Sequence, residues 1–295
     1  DYQRSRGLGD VYKRQINNNV NNKFFLHLSF HSVHTPIQSK KEYKLKYSKK
    51  PVDKYHNRAD YSAMIQSLDE NVGKVLNEVK KTGLLENTLI IFTSDNGGIR
   101  AISNQFPLKA GKGSYYEGGI KVPLIFSWKG KIEPEKKSFE RVSNIDFFPT
   151  IKNIVQHKND NLKLDGVDLN PLFEEKKIDK RSLFFHFPIY LEAYNIRKDD
   201  GRDPLFRTRP GSVIIKENWK LHHYFEDDGL ELYNLDLDDS EAKNLSTVNK
   251  EKTKELFNEL EKWRKIKKAP VPAKKNPNYN QKYVDSILLK KGVFN

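Results

Sequence analysis

Residues 84–98 read LLENTLIIFTSDNGG, and the fold turns on them. The apolar run at 89–92 is too short for a buried helix and has the length of a buried strand core, so 89–94 is expected to be a strand. It stops at Asp95-Asn96-Gly97-Gly98, a strong turn signal. Upstream, Met64, Leu68, Val72, Leu76 and Val79 recur at spacings of four and three, which draws one apolar stripe along a helix. Asp60 or Ser62 can cap its start, and Gly83 stands where a helix-ending glycine belongs. Earlier still, residues 24–30 (FFLHLSF) are expected to form a buried strand that leaves through a loop at 31–36. Strand, helix, strand in that order predicts a right-handed parallel crossover and a layered α/β domain.

Working outward, residues 40–58 are Lys/Tyr-rich and read as irregular. Residues 122–128 (VPLIFSW) form a third expected strand after a glycine-rich loop, and Asp146 can cap a helix over 147–156, with Pro149 tolerable only in its first turn. The pattern then changes. Residues 212–216, 220–225 and 231–235 read as short strands joined by turns at Glu217-Asn218 and Asp227-Asp228-Gly229, an antiparallel meander. Residues 250–267 form an amphipathic helix with Leu256, Leu260 and Trp263 on one face. The Pro/Asn/Lys-rich stretch 269–280 should be extended or loose. At the other end, residues 1–15 (DYQRSRGLGDVYKRQ) have no period and no initiator Met, and are expected to be a non-native or disordered segment.

The 295 residues carry 53 Lys and Arg against 39 Asp and Glu, a formal charge of +14. Half of that excess falls in residues 251–295. Such a surface favours polyanions, although a solvated helix and tail account for it equally well. No nucleic-acid motif accompanies the charge, so no nucleic-acid partner is expected. With no cysteine, this stretch has no disulfide, thiolate zinc site or cysteine nucleophile. No apolar run approaches the roughly 18 residues of a membrane span.

Three loops carry the chemistry, and loops at strand ends converge on the ligand crevice of open α/β sheets. Asp95-Asn96-Gly97-Gly98 is a turn in its own right. It also offers a carboxylate and an amide carbonyl, the oxygen donors that Ca²⁺ or Mg²⁺ prefers. His31-Ser32-Val33-His34-Thr35-Pro36 places two imidazoles where one can donate a proton to a leaving group at neutral pH. In residues 107–119 (PLKAGKGSYYEGG), glycines flank Lys112 and let backbone and ammonium approach an anion; the P-loop spacing is absent. Metal ligands, a proton-donating imidazole and a lysine for a tetrahedral oxyanion suit hydrolysis of a sulfate or phosphate ester.

In the order and spacing of these segments the chain resembles the C-terminal part of a type I, formylglycine-dependent sulfatase. The segments are FFLHLSFHSVHTPI (24–37), LLENTLIIFTSDNGG (84–98), PLKAGKGSYYEGGIKVPLIFSWKGKI (107–132), DFFPTI (146–151), FRTRPGSVIIKENWKL (206–221) and ELYNLDLDDSEAKNL (231–245). The resemblance implies an α/β, alkaline-phosphatase-like fold with an incomplete central mixed sheet, flanking helices and a small C-terminal antiparallel subdomain with a helix. On that reading, 16–185 belongs to the catalytic domain, 186–268 is the subdomain and 269–295 a basic tail. It makes Asp95 and Asn96 metal ligands, with Ca²⁺ expected and Mg²⁺ as the alternative. His34 becomes the acid for the leaving alcohol and Lys112 the sulfate-binding lysine. Sulfated small molecules or polysaccharides are the expected substrates, in the periplasm or outside the cell, and His186, Arg207 and Arg209 are candidates to meet further anionic sugar groups.

The departures are equally definite. Neither Cys-x-Pro-x-Arg nor Ser-x-Pro-x-Arg occurs, so the formylglycine nucleophile has no position here, and the chain is read as a fragment that is inactive alone. A phosphodiesterase or phosphonate hydrolase of the alkaline phosphatase superfamily and a non-catalytic polyanion-binding module are the alternatives.

Overall fold

The computed structural model describes residues 11–53, 57–157, 162–274 and 276–293. These divide into two compact units, one of residues 1–92 and 124–136, the other of 93–123 and 137–295. The division differs from a boundary at 185/186, because the glycine-rich loop and the 137–185 segment pack with the C-terminal sheet.

In the first unit, residues 11–18 are helical (α1). The expectation of an unstructured 1–15 therefore fails for 11–15, while 1–10 lie outside the described residues. The physical anchor is Ile16, fully buried, with Asn17 Nδ2 donating to Glu78 Oε1 at 2.8 Å. A second helix, α2 (Lys41–Ser48), stands where irregular chain was expected. It buries no residue and has no apolar stripe. Polar contacts to the next helix hold it: Tyr43 Oη donates to Glu70 at 2.6 Å and Lys46 Nζ to Gln66 at 2.9 Å.

That next helix, α3 (Ala59–Lys81), is the one expected from the stripe, and it buries Ala63, Met64 and Val79. Its end is a Schellman turn. Gly83 takes φ +74° and donates to the Lys80 carbonyl, while Leu84 N–H reaches the Val79 carbonyl at 3.1 Å. Its start differs from expectation, since no side chain caps it and Asp60 instead pairs with Arg58 at 3.2 Å. Strands β1 (Ile90–Thr93) and β2 (Leu124–Ser127) form where their apolar runs predicted strands, and they are hydrogen-bonded neighbours. Residues 24–30 form no strand. An apolar run becomes a strand only where a ladder partner takes its backbone groups, and none does so among the described residues; Phe25 is 80% exposed.

The second unit is built on a four-stranded antiparallel sheet in the order β3 (Ser182–Phe187), β6 (Gly211–Lys216), β7 (Trp219–Tyr224), β8 (Gly229–Asn234). The meander lies within two residues of its expected bounds at either end of each strand, and its turns place Glu217 and Asp228 at φ +54° and +50°. Both faces are covered. Ile214, Leu221 and Leu232 meet Leu256 and Leu260 of helix α7 (Lys250–Lys267) on one side. Val213, Ile215, Tyr224 and Tyr233 meet Ala110, Tyr115 and Tyr116 of the glycine-rich loop on the other. Each fully buried leucine contributes about 1.5–3 kcal/mol.

Shorter elements complete the unit. The one-turn helix α4 (Glu117–Ile120) ends the glycine-rich loop, and α6 (Asn170–Phe173) follows α5 (Phe147–Ile154). Asp146 does not cap α5. Its carboxylate turns back to the Ser143 N–H (2.7 Å) and across to the Val167 N–H (2.9 Å), and pairs with Arg181. Strands β4 (Leu191–Glu192) and β5 (Phe206–Thr208) form a separate antiparallel pair. The described residues of 269–280 form no helix or strand, in line with the expected loose stretch, and beyond them helix α8 (Gln281–Lys290) starts at an Asn280 cap and buries Leu288.

Candidate active site

The glycine-rich loop and the Asp95–Gly98 turn are joined backbone to backbone. The Lys112 N–H donates to the Gly98 carbonyl at 2.8 Å, and the Gly97 N–H to the Gly119 carbonyl at 2.9 Å. No side chain fits at this junction. A Cβ on Gly97 would lie 1.9 Å from the Gly118 oxygen, and one on Gly111 would lie 2.5 Å from the Gly98 oxygen. These glycines are there for close approach. The junction brings half-buried Lys112 onto the same backbone frame as exposed Asp95 and half-buried Asn96.

The frame rests on a buried ionic group. Lys220, with no exposed surface, reaches Glu117 Oε1 at 3.0 Å and Glu241 Oε1 at 2.9 Å, and the Glu117 N–H donates to Glu241 Oε2 at 2.6 Å. Glu117 opens α4, at the far end of the Lys112 loop. Burial pushes the Glu241 carboxyl up, but Lys220, His222 and the Glu117 amide outweigh it and hold the group down at about 2. Burial holds His222 below its ordinary value, so the ring is neutral. None of these four residues was singled out from sequence. The one available signal was Glu117, an acid directly before two glycines that approach other backbone.

Of the residues considered for wider substrate contact, Arg207 shares a small hollow with Lys112, Arg100, Gly111, Tyr194 and Asp199. Arg209 and His186 are committed internally. Arg209 pairs with both Asp203 and Glu226. His186 Nε2 donates to the Pro270 carbonyl at 2.9 Å, which leaves Nδ1 to accept from Ser212 Oγ at 2.8 Å. Burial lowers its pKa, in keeping with that neutral tautomer. His34 belongs to the first unit. It is exposed, its Nδ1 donates to the Thr35 carbonyl at 2.8 Å, and its ring lies 5.7 Å from that of His31.

Among the described residues no three His, Asp or Glu side chains converge as a metal cage. Asp95 and Asn96 carry side-chain oxygens on one turn, the kind of donor that a hard cation takes. No helix among the described residues is long and apolar enough to cross a membrane.

A lysine loop bonded to an Asp-Asn-Gly-Gly turn is the arrangement that the sulfatase resemblance leads one to expect. Residues 3–156 match the sulfatase family and residues 111–269 match the C-terminal region of N-sulphoglucosamine sulphohydrolase, so the chain belongs to the sulfatase family. It is 37% identical over 265 residues to a sulfatase of Formosa agariphila, covering 82% of this chain and 46% of that protein. It is 33% identical over 172 residues to human arylsulfatase A, 57% of this chain and 32% of that one. Among solved structures it is similar to Ps i-CgsB, with a TM-score of 0.72 and 28% identity over 97% of this chain and 59% of that one. Ps i-CgsB has also been solved in complex with k-i-k-neocarrahexaose. The chain thus spans between about a third and three fifths of the length of these relatives. Sulfatases use a metal ion.

Proposed function

We propose that the whole protein is a sulfuric ester hydrolase acting on sulfated polysaccharide in the periplasm or outside the cell. The observation that carries this reading is the Lys112–Gly98 hydrogen bond. It fixes a lysine and two oxygen donors for a cation on one rigid junction, an arrangement suited to an anion of sulfate charge. Lys112 neutralises charge on the sulfuryl oxygens, and His34 delivers a proton from Nε2 to the leaving alcohol. Asp95 and Asn96 would be among the residues that hold a Ca²⁺, which would supply Lewis-acid stabilisation of the negative charge on the sulfate ester. The formylglycine nucleophile of this chemistry is not one of these residues. A sulfated galactan is the first substrate to try, given the oligosaccharide bound by Ps i-CgsB.

The test is sulfate release by the whole protein from an aryl sulfate and a carrageenan oligosaccharide, beside a phosphodiester of the same aryl alcohol. The expected result is sulfate release that EGTA abolishes and Ca²⁺ restores. Faster turnover of the phosphodiester overturns the reading in favour of phosphate chemistry, and no turnover of any ester overturns it in favour of a polyanion-binding module.

A further inference from the structure

The loop that carries Lys112 is closed at its neck. The Gly118 N–H donates to the Lys109 carbonyl at 2.9 Å, which joins the two ends of residues 109–118 backbone to backbone, and within the loop the Ser114 N–H reaches the Gly111 carbonyl at 3.1 Å. One residue from far along the chain grips both sides of that neck. Glu241 takes the Lys109 ammonium on its backbone carbonyl at 3.3 Å and the Glu117 N–H on its Oε2 at 2.6 Å. The first bond uses the main chain of Glu241 and the second its side chain, so both must be fixed for the grip to close.

The turn after β8 fixes both. The Asp238 carbonyl accepts from the Glu241 N–H at 3.2 Å, and the Asp238 carboxylate accepts from the Ala242 and Lys243 N–H groups at 3.0 and 2.9 Å. Within that turn Glu241 takes φ +51°, the left-handed region where glycine is at ease and a glutamate is uncommon. Such a conformation persists only where the surroundings over-determine it, and residues held this way cluster at functional sites. A glycine would fit the turn with less strain but would lose the bond to the Glu117 N–H, so the side chain is what the position needs. The other side of the grip is steadied as well, since the Lys109 ammonium lies 4.2 Å from the Tyr116 ring centroid. Glu241 therefore sets where residues 109 and 117 stand, and Lys112 is carried between them.

We propose that Glu241 is a positioning residue for Lys112: by gripping Lys109 and Glu117 it holds the loop so that the Lys112 ammonium meets a sulfate ester. The role in turnover rests on the function proposed above; the grip itself does not. Two measurements on the whole protein separate them. Hydrogen exchange of residues 107–119 reads the loop, and kcat/KM on an aryl sulfate reads the reaction. Glu241→Ala, Glu241→Gln and Lys109→Met are compared with wild type, each alone and combined with Lys112→Ala, beside melting curves. In Glu241→Ala the buried Lys220 keeps Glu117 at 3.0 Å. Lys109→Met leaves the buried ions in place and carries the test if Glu241→Ala does not fold. Glu241→Ala and Lys109→Met are expected to speed exchange in the loop by about tenfold while β6 and β7 exchange as before. They should lower kcat/KM by about tenfold, because a catalytic group slightly out of place loses rate steeply. Glu241→Gln keeps an acceptor for the Glu117 N–H and should recover part of both effects. In the Lys112→Ala background the same changes should cost less than about twofold, since a residue that acts through Lys112 has nothing left to position. Unchanged loop exchange in both Glu241→Ala and Lys109→Met overturns the grip. A loss of kcat/KM as large with Lys112→Ala as without it overturns the positioning role and makes Glu241 structural. Faster loop exchange in a protein whose wild type releases no sulfate overturns the proposed function, and the positioning role with it, while the grip stands.

Discussion

Lys220 Nζ lies 2.9 Å from Glu241 Oε1, and neither side chain has any exposed surface. The same ammonium holds Glu117 at 3.0 Å, and through Glu117 it fixes the far end of the Lys112 loop. Replacing the lysine by an apolar residue of similar length leaves two buried carboxylates without their cation. Lys220→Met is expected to lose about 3–5 kcal/mol of stability. Adding Glu117→Gln and Glu241→Gln to it should recover part of that loss. Urea unfolding of the single and triple variants measures both; a loss below about 1 kcal/mol in Lys220→Met would show that the cation is dispensable.

Stability should fall on acidification in two stages. His222 is held neutral by burial, below its ordinary value of 6.5. Its folded pKa is depressed, so the unfolded chain takes up the proton first. The contribution of the neutral ring is complete above 6.5 and is lost as pH falls below it, by at most about 1.4 kcal/mol per pH unit. Glu241, lowered from 4.5 to about 2, adds stability that is present above 4.5 and lost between 4.5 and 2. The urea midpoint should be flat from pH 7 to 8, decline below 6.5 and decline faster below 4.5. His222→Gln should flatten the first stage. An unchanged slope in that variant would assign the first stage to His186 and His223, which burial also depresses.

The glycines divide by what a methyl group would meet. At Gly97 it meets the Gly118 oxygen at 1.9 Å, whereas at Gly73, inside α3, nothing lies within 4 Å. Gly97→Ala must push the turn off the lysine loop, an overpacking cost of about 1–3 kcal/mol. Gly73→Ala only restricts the unfolded chain and should stabilise by about 0.5–1 kcal/mol. Opposite shifts in melting temperature are the expected result. A stabilised Gly97→Ala would show that the two loops are not in contact.

What was legible in the sequence follows from locality. The β6–β8 meander was readable because its turns require Asn, Asp and Gly and its strands are short. Gly83 was readable because only a left-handed residue closes a Schellman turn. Strand β3 was not: Leu183 and Phe185 face the loop side and Phe184 the α7 side, so both faces are apolar and the alternation disappears. Helix α2 was not, because its support is Tyr43 on Glu70 and Lys46 on Gln66 in a neighbouring helix. Lys112 and Asp95 stood out because glycine turns advertise close approach. The commitment of His186 could not be read, since its partner Pro270 is 84 residues away. Lys220 reads as a solvent-facing strand lysine, and its burial depends on Glu117 and Glu241, distant on either side.

Lys112 itself should be nearly neutral for stability and costly for turnover. It sits between two glycines in a half-buried loop, and the hydrogen bond that joins the loop to Gly98 uses its backbone N–H, which any residue but proline supplies. Lys112→Ala therefore keeps the junction and removes the ammonium with its side-chain contacts, a change of about 1 kcal/mol or less. If that ammonium neutralises sulfuryl oxygens in the transition state, its removal costs on the order of 10²–10³ in rate. Lys112→Arg should restore only part of the loss, because a planar fork replaces a compact charge in a loop with no slack beside Gly111. The measurement is kcat/KM on an aryl sulfate for the whole protein and both variants, beside their melting curves. A melting temperature lowered by many degrees with turnover per molecule intact would make Lys112 a structural residue and take it out of the site.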